Sequence, residues 1–119
     1  MARHNDLGKV GEDLAVDFLI RNDYYIRARN FRFEKAEVDI IAQKEELLII
    51  VEVKTRSTTD FGNPQDFIKP KQIANLVKAV NAYVEQEGLD YEVRFDVIAI
   101  IKNRNQLEIE HLKDAFYHF

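Results

Sequence analysis

Leu47-Leu48-Ile49-Ile50-Val51-Glu52-Val53-Lys54 contains the longest strongly apolar run of the chain, and its charges arrive only at its end. A short, β-branched run of this kind is the pattern of a central strand covered on both faces. The acidic pair Glu45-Glu46 precedes it. Before that pair, Glu37-Val38-Asp39-Ile40-Ile41-Ala42 predicts a second strand over 36–42, so a tight turn centred on Glu45-Glu46 makes the two an antiparallel hairpin. Further back, Tyr24, Tyr25, Ile26, Phe31 and Phe33 interleave with arginines, the pattern of a strand with one wet face.

Outward in the other direction, residues 56–68 hold hydroxyl side chains, Gly62 and Pro64, and read as a loop at an active edge. Pro70 then suits a first helical position and Gly88 the residue past the end of a helix whose apolar face carries Ile73, Val77, Val80 and Val84. Val93, Phe95, Val97 and Ala99 alternate with more polar neighbours and predict a strand over 91–101; a short last strand follows at 106–111. At the start, Leu7, Val10, Leu14 and Phe18, with Ala15 and Leu19, predict a helix over 6–22 capped by Asn5 or Asp6. Gly8 and Gly11 each cost that helix about 1 kcal/mol relative to alanine, which points to close packing or a late start. The expected fold is therefore α/β in the order αβββαββ. The first three strands form an antiparallel meander, and the helix at 70–87 crosses over to a parallel fourth strand within a mixed sheet flanked by helices.

Composition narrows the function. The chain has 119 residues, 46% hydrophobic and 32% charged, which suits one globular domain over 1–119 and excludes a disordered tail or a collagen-like chain. There is no cysteine, so disulfide frameworks, cysteine–zinc sites and thiol catalysis are out and a reducing cytoplasm is expected. Met1-Ala2-Arg3-His4-Asn5-Asp6 lacks the apolar stretch of an export signal. The run Leu47–Val51 is far short of the roughly 20 residues that span a bilayer, so no membrane partner is expected. The net charge is −4, but it is unevenly spread. Arg27, Arg29, Arg32 and Lys35 stand against Glu34 alone, whereas acids outnumber bases from Glu85 onward. Either segment also reads as a solvated face.

Asp39, Glu52 and Lys54 each interrupt an apolar strand, and an unpaired charge there costs several kcal/mol unless it is paired, bound to a metal or placed at an opening of the sheet. With the turn centred on Glu45-Glu46, residues whose numbers sum to 91 face one another. Asp39 then opposes Glu52, Glu37 opposes Lys54, and all four share a face. Two opposed carboxylates repel unless a cation lies between them. Oxygen donors favour Mg²⁺ or Mn²⁺, with the backbone carbonyl of Val53 as a further ligand. Such an ion suits phosphodiester hydrolysis. The spacing alone serves a Glu–Lys and Asp–Lys ion-pair network at a strand end equally well.

Asp39 followed after twelve residues by Glu52-Val53-Lys54 is similar to the PD-(D/E)xK nuclease signature in its D…ExK form, and the element order resembles the restriction-endonuclease-like core. Gly11-Glu12, Arg29-Asn30-Phe31-Arg32, Glu37–Ala42, Val51–Arg56, Phe61-Gly62 and Arg94-Phe95-Asp96-Val97 together resemble the YraN-type family of uncharacterised, endonuclease-like bacterial proteins across essentially the whole chain. More distantly the chain is similar to archaeal Holliday-junction resolvases. The resemblance implies Asp39 and Glu52 as metal ligands, Lys54 as catalytic base or charge stabiliser, and Glu12 as an additional acid near the metal. On spacing alone, Glu12 reads as an exposed helix glutamate at the edge of a buried stripe. Gln72 occupies the region where related nucleases place a glutamine, although the tyrosine expected four residues on is Leu76 here. Ala36 stands where a glycine is expected. Asp96 reads first as a structural ion-pair partner, and His4, His111 and His118 as surface residues.

Arg56, Lys69 and Lys71, with Arg29 and Arg32, are expected to form a phosphate-tracking rim around the acidic centre. No base-reading motif is present. The sequence therefore predicts a Mg²⁺- or Mn²⁺-dependent nuclease acting on nucleic acid, DNA above all, with branched or repair substrates in view. A homodimer is expected where two strands are cut. The rival reading is a nucleic-acid-binding module that keeps the fold without cleaving; a purely structural interaction protein is the third.

Overall fold

The sequence periods become two helices packed on opposite faces of one five-stranded sheet. The computed structural model describes residues 3–57 and 69–115, with side chains from residue 7 onward. In chain order the elements are α1 (Arg3–Arg21), β1 (Tyr25–Phe33), β2 (Ala36–Lys44), β3 (Leu47–Arg56), α2 (Pro70–Glu87), β4 (Glu92–Asn103) and β5 (Gln106–Leu112). The strands lie side by side in sequence order. All neighbours are antiparallel except β3 and β4, which run parallel from Leu47↔Glu92 to Arg56↔Ile101. This is the mixed α/β architecture and the αβββαββ order that the sequence implied. Among the described residues no helix is long and apolar enough to cross a membrane.

The central strand behaves as its composition requires. Leu48 to Glu52 are all buried, with Leu48 and Ile50 facing α2 while Ile49 and Val51 face α1. Under α2, these side chains meet Leu76, Ala79, Val80 and Tyr83; under α1, they meet Ala15 and Leu19. α2 begins at Pro70 and ends at Gly88, whose φ of +64° is the left-handed cap that glycine adopts without penalty. α1 departs from expectation in two respects. It starts at Arg3, so Asn5 and Asp6 lie inside it rather than capping it. Its buried stripe is Gly11, Ala15 and Leu19, whereas Val10 is 38% exposed. Gly11 explains the rotation: a β-carbon there would collide with Thr55 Oγ1 and lie 2.8 Å from its Cβ, so helix backbone rests directly on β3.

Strand alternation breaks at one level of the sheet. Ala28 and Phe31 of β1 both pack on the α2 side, as do Val38 and Ile41 of β2, three residues apart in each case instead of two. Between them lie Asn30, at φ +54°, and Asp39, which the flanking pairs Arg29↔Ile40 and Phe31↔Val38 place across from it. Asparagine tolerates the left-handed region better than most residues. This shared kink takes Asp39 out of the normal up–down alternation, and the β2–β3 ladder stops beside it at Ile40↔Val51.

Candidate active site

Where the ladder stops, a side chain continues it. Asp39 Oδ2 accepts the Val53 amide at 2.8 Å, in the position a strand carbonyl would otherwise serve. The hairpin count therefore finds the neighbourhood of Asp39 and Glu52 but not its detail. The strands diverge before the expected Glu37–Lys54 opposition can form, and Glu37 instead pairs with Arg32 at 2.7 Å. The expectation that all four side chains share one face is corrected in the same way, because the two carboxylates lie in the opening between β2 and β3 and line cavities on both sides.

The first cavity, about 360 Å³, is bordered by α1 and joins Glu12, Asp39, Glu52, Val53, Lys54 and Arg56. The second, about 270 Å³, is bordered by the β1–β2 turn and by α2, from which Gln72, Asn75 and Leu76 face the same acid pair. Glu52 is only 5% exposed, and its Oε1 has no hydrogen-bond partner. Burial pushes the Glu52 carboxyl up to about 8, with the charge of Asp39 adding to the effect and the Lys54 ammonium opposing it. Burial likewise raises Asp39 to about 6, against the pull of the Val53 amide. Near neutrality the pair holds a proton that two exposed carboxylates would have lost. A divalent cation would replace that proton and occupy the unused oxygen, so these donors fit a hard metal ion. Among the described residues no group of three His, Cys, Asp or Glu side chains is placed to hold a metal ion.

The remaining expected residues are dispersed. Glu12 lines the α1-side cavity from the helix edge, as its spacing allowed. Arg29 is engaged by Asp13 at 2.8 Å, with Glu12 at 3.9 Å, so it braces α1 against β1 instead of standing free on a rim. Arg32 is held by Glu37. Lys69 and Lys71 are exposed at the start of α2. The loop expected at 56–68 lies outside the described residues from 58 onward, as do His118 and the side chain of His4.

His111 is not a surface residue. Its side chain is 8% exposed, Nε2 lies 2.7 Å from Asp96 Oδ2, and its ring packs edge-on against Phe18 and Tyr24. Arg94 and the Asp114 amide complete the shell around Asp96. Burial opposes ionisation of Asp96, but the hydrogen bonds from His111, Arg94 and Asp114 outweigh it and hold its carboxyl below the usual range. Asp96 is thus the structural ion-pair partner its position suggested, and His111 was missed because nothing in its sequence spacing announces the cross-strand partner. Asn75 was missed too, although its place three residues after Gln72 puts both amides on one helical face.

A family model described as "Uncharacterised protein family UPF0102" matches residues 11–100, a span that contains both acids, Lys54 and most of the parallel strand pair. The chain belongs to the UPF0102 family. It is 63% identical over 119 residues to a UPF0102 protein of Flavobacterium psychrophilum, each chain covered in full. A UPF0102 protein of Christiangramia forsetii is likewise 63% identical over the full length of both. One from Bacteroides fragilis is 53% identical over 117 residues, covering 98% of this chain and 97% of that protein.

Proposed function

We propose that this UPF0102 protein is a divalent-cation-dependent nuclease that hydrolyses phosphodiester bonds in DNA, as its D…ExK signature and resemblance to endonuclease-like proteins imply. The observation that carries the reading is Glu52: a buried acid with an unpartnered oxygen, beside the half-buried acid Asp39, in a cavity that also contains a lysine. Such an arrangement destabilises the fold unless it is used. Asp39 and Glu52, with the Val53 carbonyl, would hold Mg²⁺ or Mn²⁺. The ion would supply a Lewis acid for the phosphate and a lowered pKa for water.

The chain's own residues supply the rest. Arg56 draws the phosphate into the α1-side cavity. Lys54 donates hydrogen bonds from Nζ to the attacking water or to a non-bridging phosphate oxygen, offsetting the charge that grows as water bonds to phosphorus and the ester oxygen leaves. Glu12 accepts a hydrogen bond from water at the opposite wall. Action in the cytoplasm, on branched or repair substrates and as a homodimer, belongs to the same proposal. The rival, a nucleic-acid-binding module without turnover, is favoured by one feature, the lack of a third clustered ligand side chain among the described residues.

A cleavage screen separates them. Duplex, single-stranded, flap and four-way-junction DNA are incubated with Mg²⁺ or Mn²⁺ beside Asp39→Ala, Glu52→Ala and Lys54→Ala. The nuclease reading expects turnover that falls by about 100-fold or more in Lys54→Ala while the fold is retained. Equal activity in all variants rejects the site, and salt-dependent binding without turnover in any lane selects the binding module.

A further inference from the structure

The acid pair is reached from two sides, and the sides differ chemically. On the α1 side, Lys54 and Arg56 line the cavity beside Glu12 and the shared acid pair, so with a cation on that pair the cavity suits a phosphate. The α2 side has a different character. Beside the shared acids its charged groups are Lys35 and a Glu37 already paired with Arg32, its wall includes the apolar side chains Ala36 and Leu76, and two neutral amides, Gln72 and Asn75, face it from α2. Both amides are half-buried, and neither has a hydrogen-bond partner among the described residues. An amide offers a donor and an acceptor together, and two on one helical face recognise a planar group that presents both. The volume, about 270 Å³, is about nine times the ~30 Å³ share of a water molecule in the liquid, which is room for a nucleobase.

We propose that the α2-side cavity binds a single unpaired nucleobase of the strand whose phosphate occupies the α1-side cavity, with Asn75 and Gln72 reading its edge; this rests on the nuclease reading, since it requires a strand to cross the acid pair. The base would lie against the wall that Ala36 and Leu76 line and be hydrogen-bonded by the amides. Adenine is the preferred occupant, because its N6 donor and N7 acceptor match an asparagine or glutamine amide. An intact duplex cannot present such a base without extruding it, so the cavity selects single-stranded, flap or junction DNA.

The test is equilibrium binding of the full chain to short fluorescent single-stranded oligonucleotides in Ca²⁺, at constant salt. An all-adenine oligonucleotide is compared with one of equal length carrying abasic sites, so that phosphate number is constant. The wild type is expected to prefer adenine by about tenfold, and Asn75→Leu and Gln72→Ala to lose that preference while binding the abasic strand as before. Arg56→Ala should weaken both strands together. Thermal melts check that the variants fold, and Asn75→Ala serves as the milder replacement. Equal wild-type affinity for the two strands overturns the proposal, as does an Asn75 variant that retains the adenine preference. If these results accompany metal-dependent cleavage, only the base pocket falls. If the wild type binds neither strand and cleaves nothing, the nuclease reading falls with it.

Discussion

Glu52 and Asp96 are both buried acids, and they should respond to neutralisation with opposite signs. An unfolded Glu52 ionises near 4.5 and an unfolded Asp39 near 3.8, whereas the folded carboxyls hold their protons up to about 8 and about 6. The folded state therefore binds more protons over that interval. The associated stability is fully present below the unfolded values and is lost as pH rises through the folded ones. Glu52→Gln, which cannot ionise, is expected to stabilise the metal-free protein by about 2 kcal/mol near pH 9 and by almost nothing near pH 4. Urea melts at the two pH values check this, and an equal effect at both would contradict the burial argument. Asp96→Asn should instead cost about 3 kcal/mol, because it leaves the charge of Arg94 without its carboxylate and weakens the His111 and Asp114 bonds. The same melts at neutral pH decide it, and a stabilised Asp96→Asn would show that acid to be strained rather than structural. The sequence marked both residues as charges in apolar strands but could not distinguish them, since Asp96 is satisfied by residues on β4, β5 and the turn beyond.

At the scale of elements, the site depends on where α1 rests on β3. Gly11 lies against Thr55, one residue from Lys54, so helix position and cavity shape are set by one contact. Gly11→Ala is expected to destabilise the protein by about 1–3 kcal/mol through overpacking, whereas Gly8→Ala, with nothing within 4 Å of the added carbon, should gain up to about 1 kcal/mol of helix propensity. Equal shifts in the two denaturation midpoints would refute this placement. Much of the element pattern was legible: Pro70 and Gly88 bound α2, and Glu45 and Glu46 turn the β2–β3 hairpin. The rotation of α1 was legible only in part: hydrophobic spacing favours Leu7, Val10 and Leu14, whereas the helix cost of Gly11 signalled the close packing that its contact with Thr55 bears out. The kink at Asn30 and Asp39 was hidden. A period of two assumes an unbroken strand, and the break is what turns Asp39 toward the Val53 amide.

For the whole molecule, the sheet opens where two antiparallel strands part, and two helices form cavities on either side of the opening. Sequence arithmetic brought Asp39 and Glu52 to that place because the hairpin register holds through Ile40↔Val51. It could not show that the pair is exposed to both cavities, since that depends on how far the strands separate beyond the last ladder pair. The central claim is that this opening is built for a divalent cation. Calorimetric titration of the full chain with Mn²⁺ and Mg²⁺ near neutral pH, in buffers of different ionisation enthalpy, tests it most directly. The expected result is saturable binding of about one ion per chain with proton release, weakened by about tenfold or more in Asp39→Asn and Glu52→Gln. Binding that is absent at about 10 mM ion, or unchanged in both variants, would contradict it.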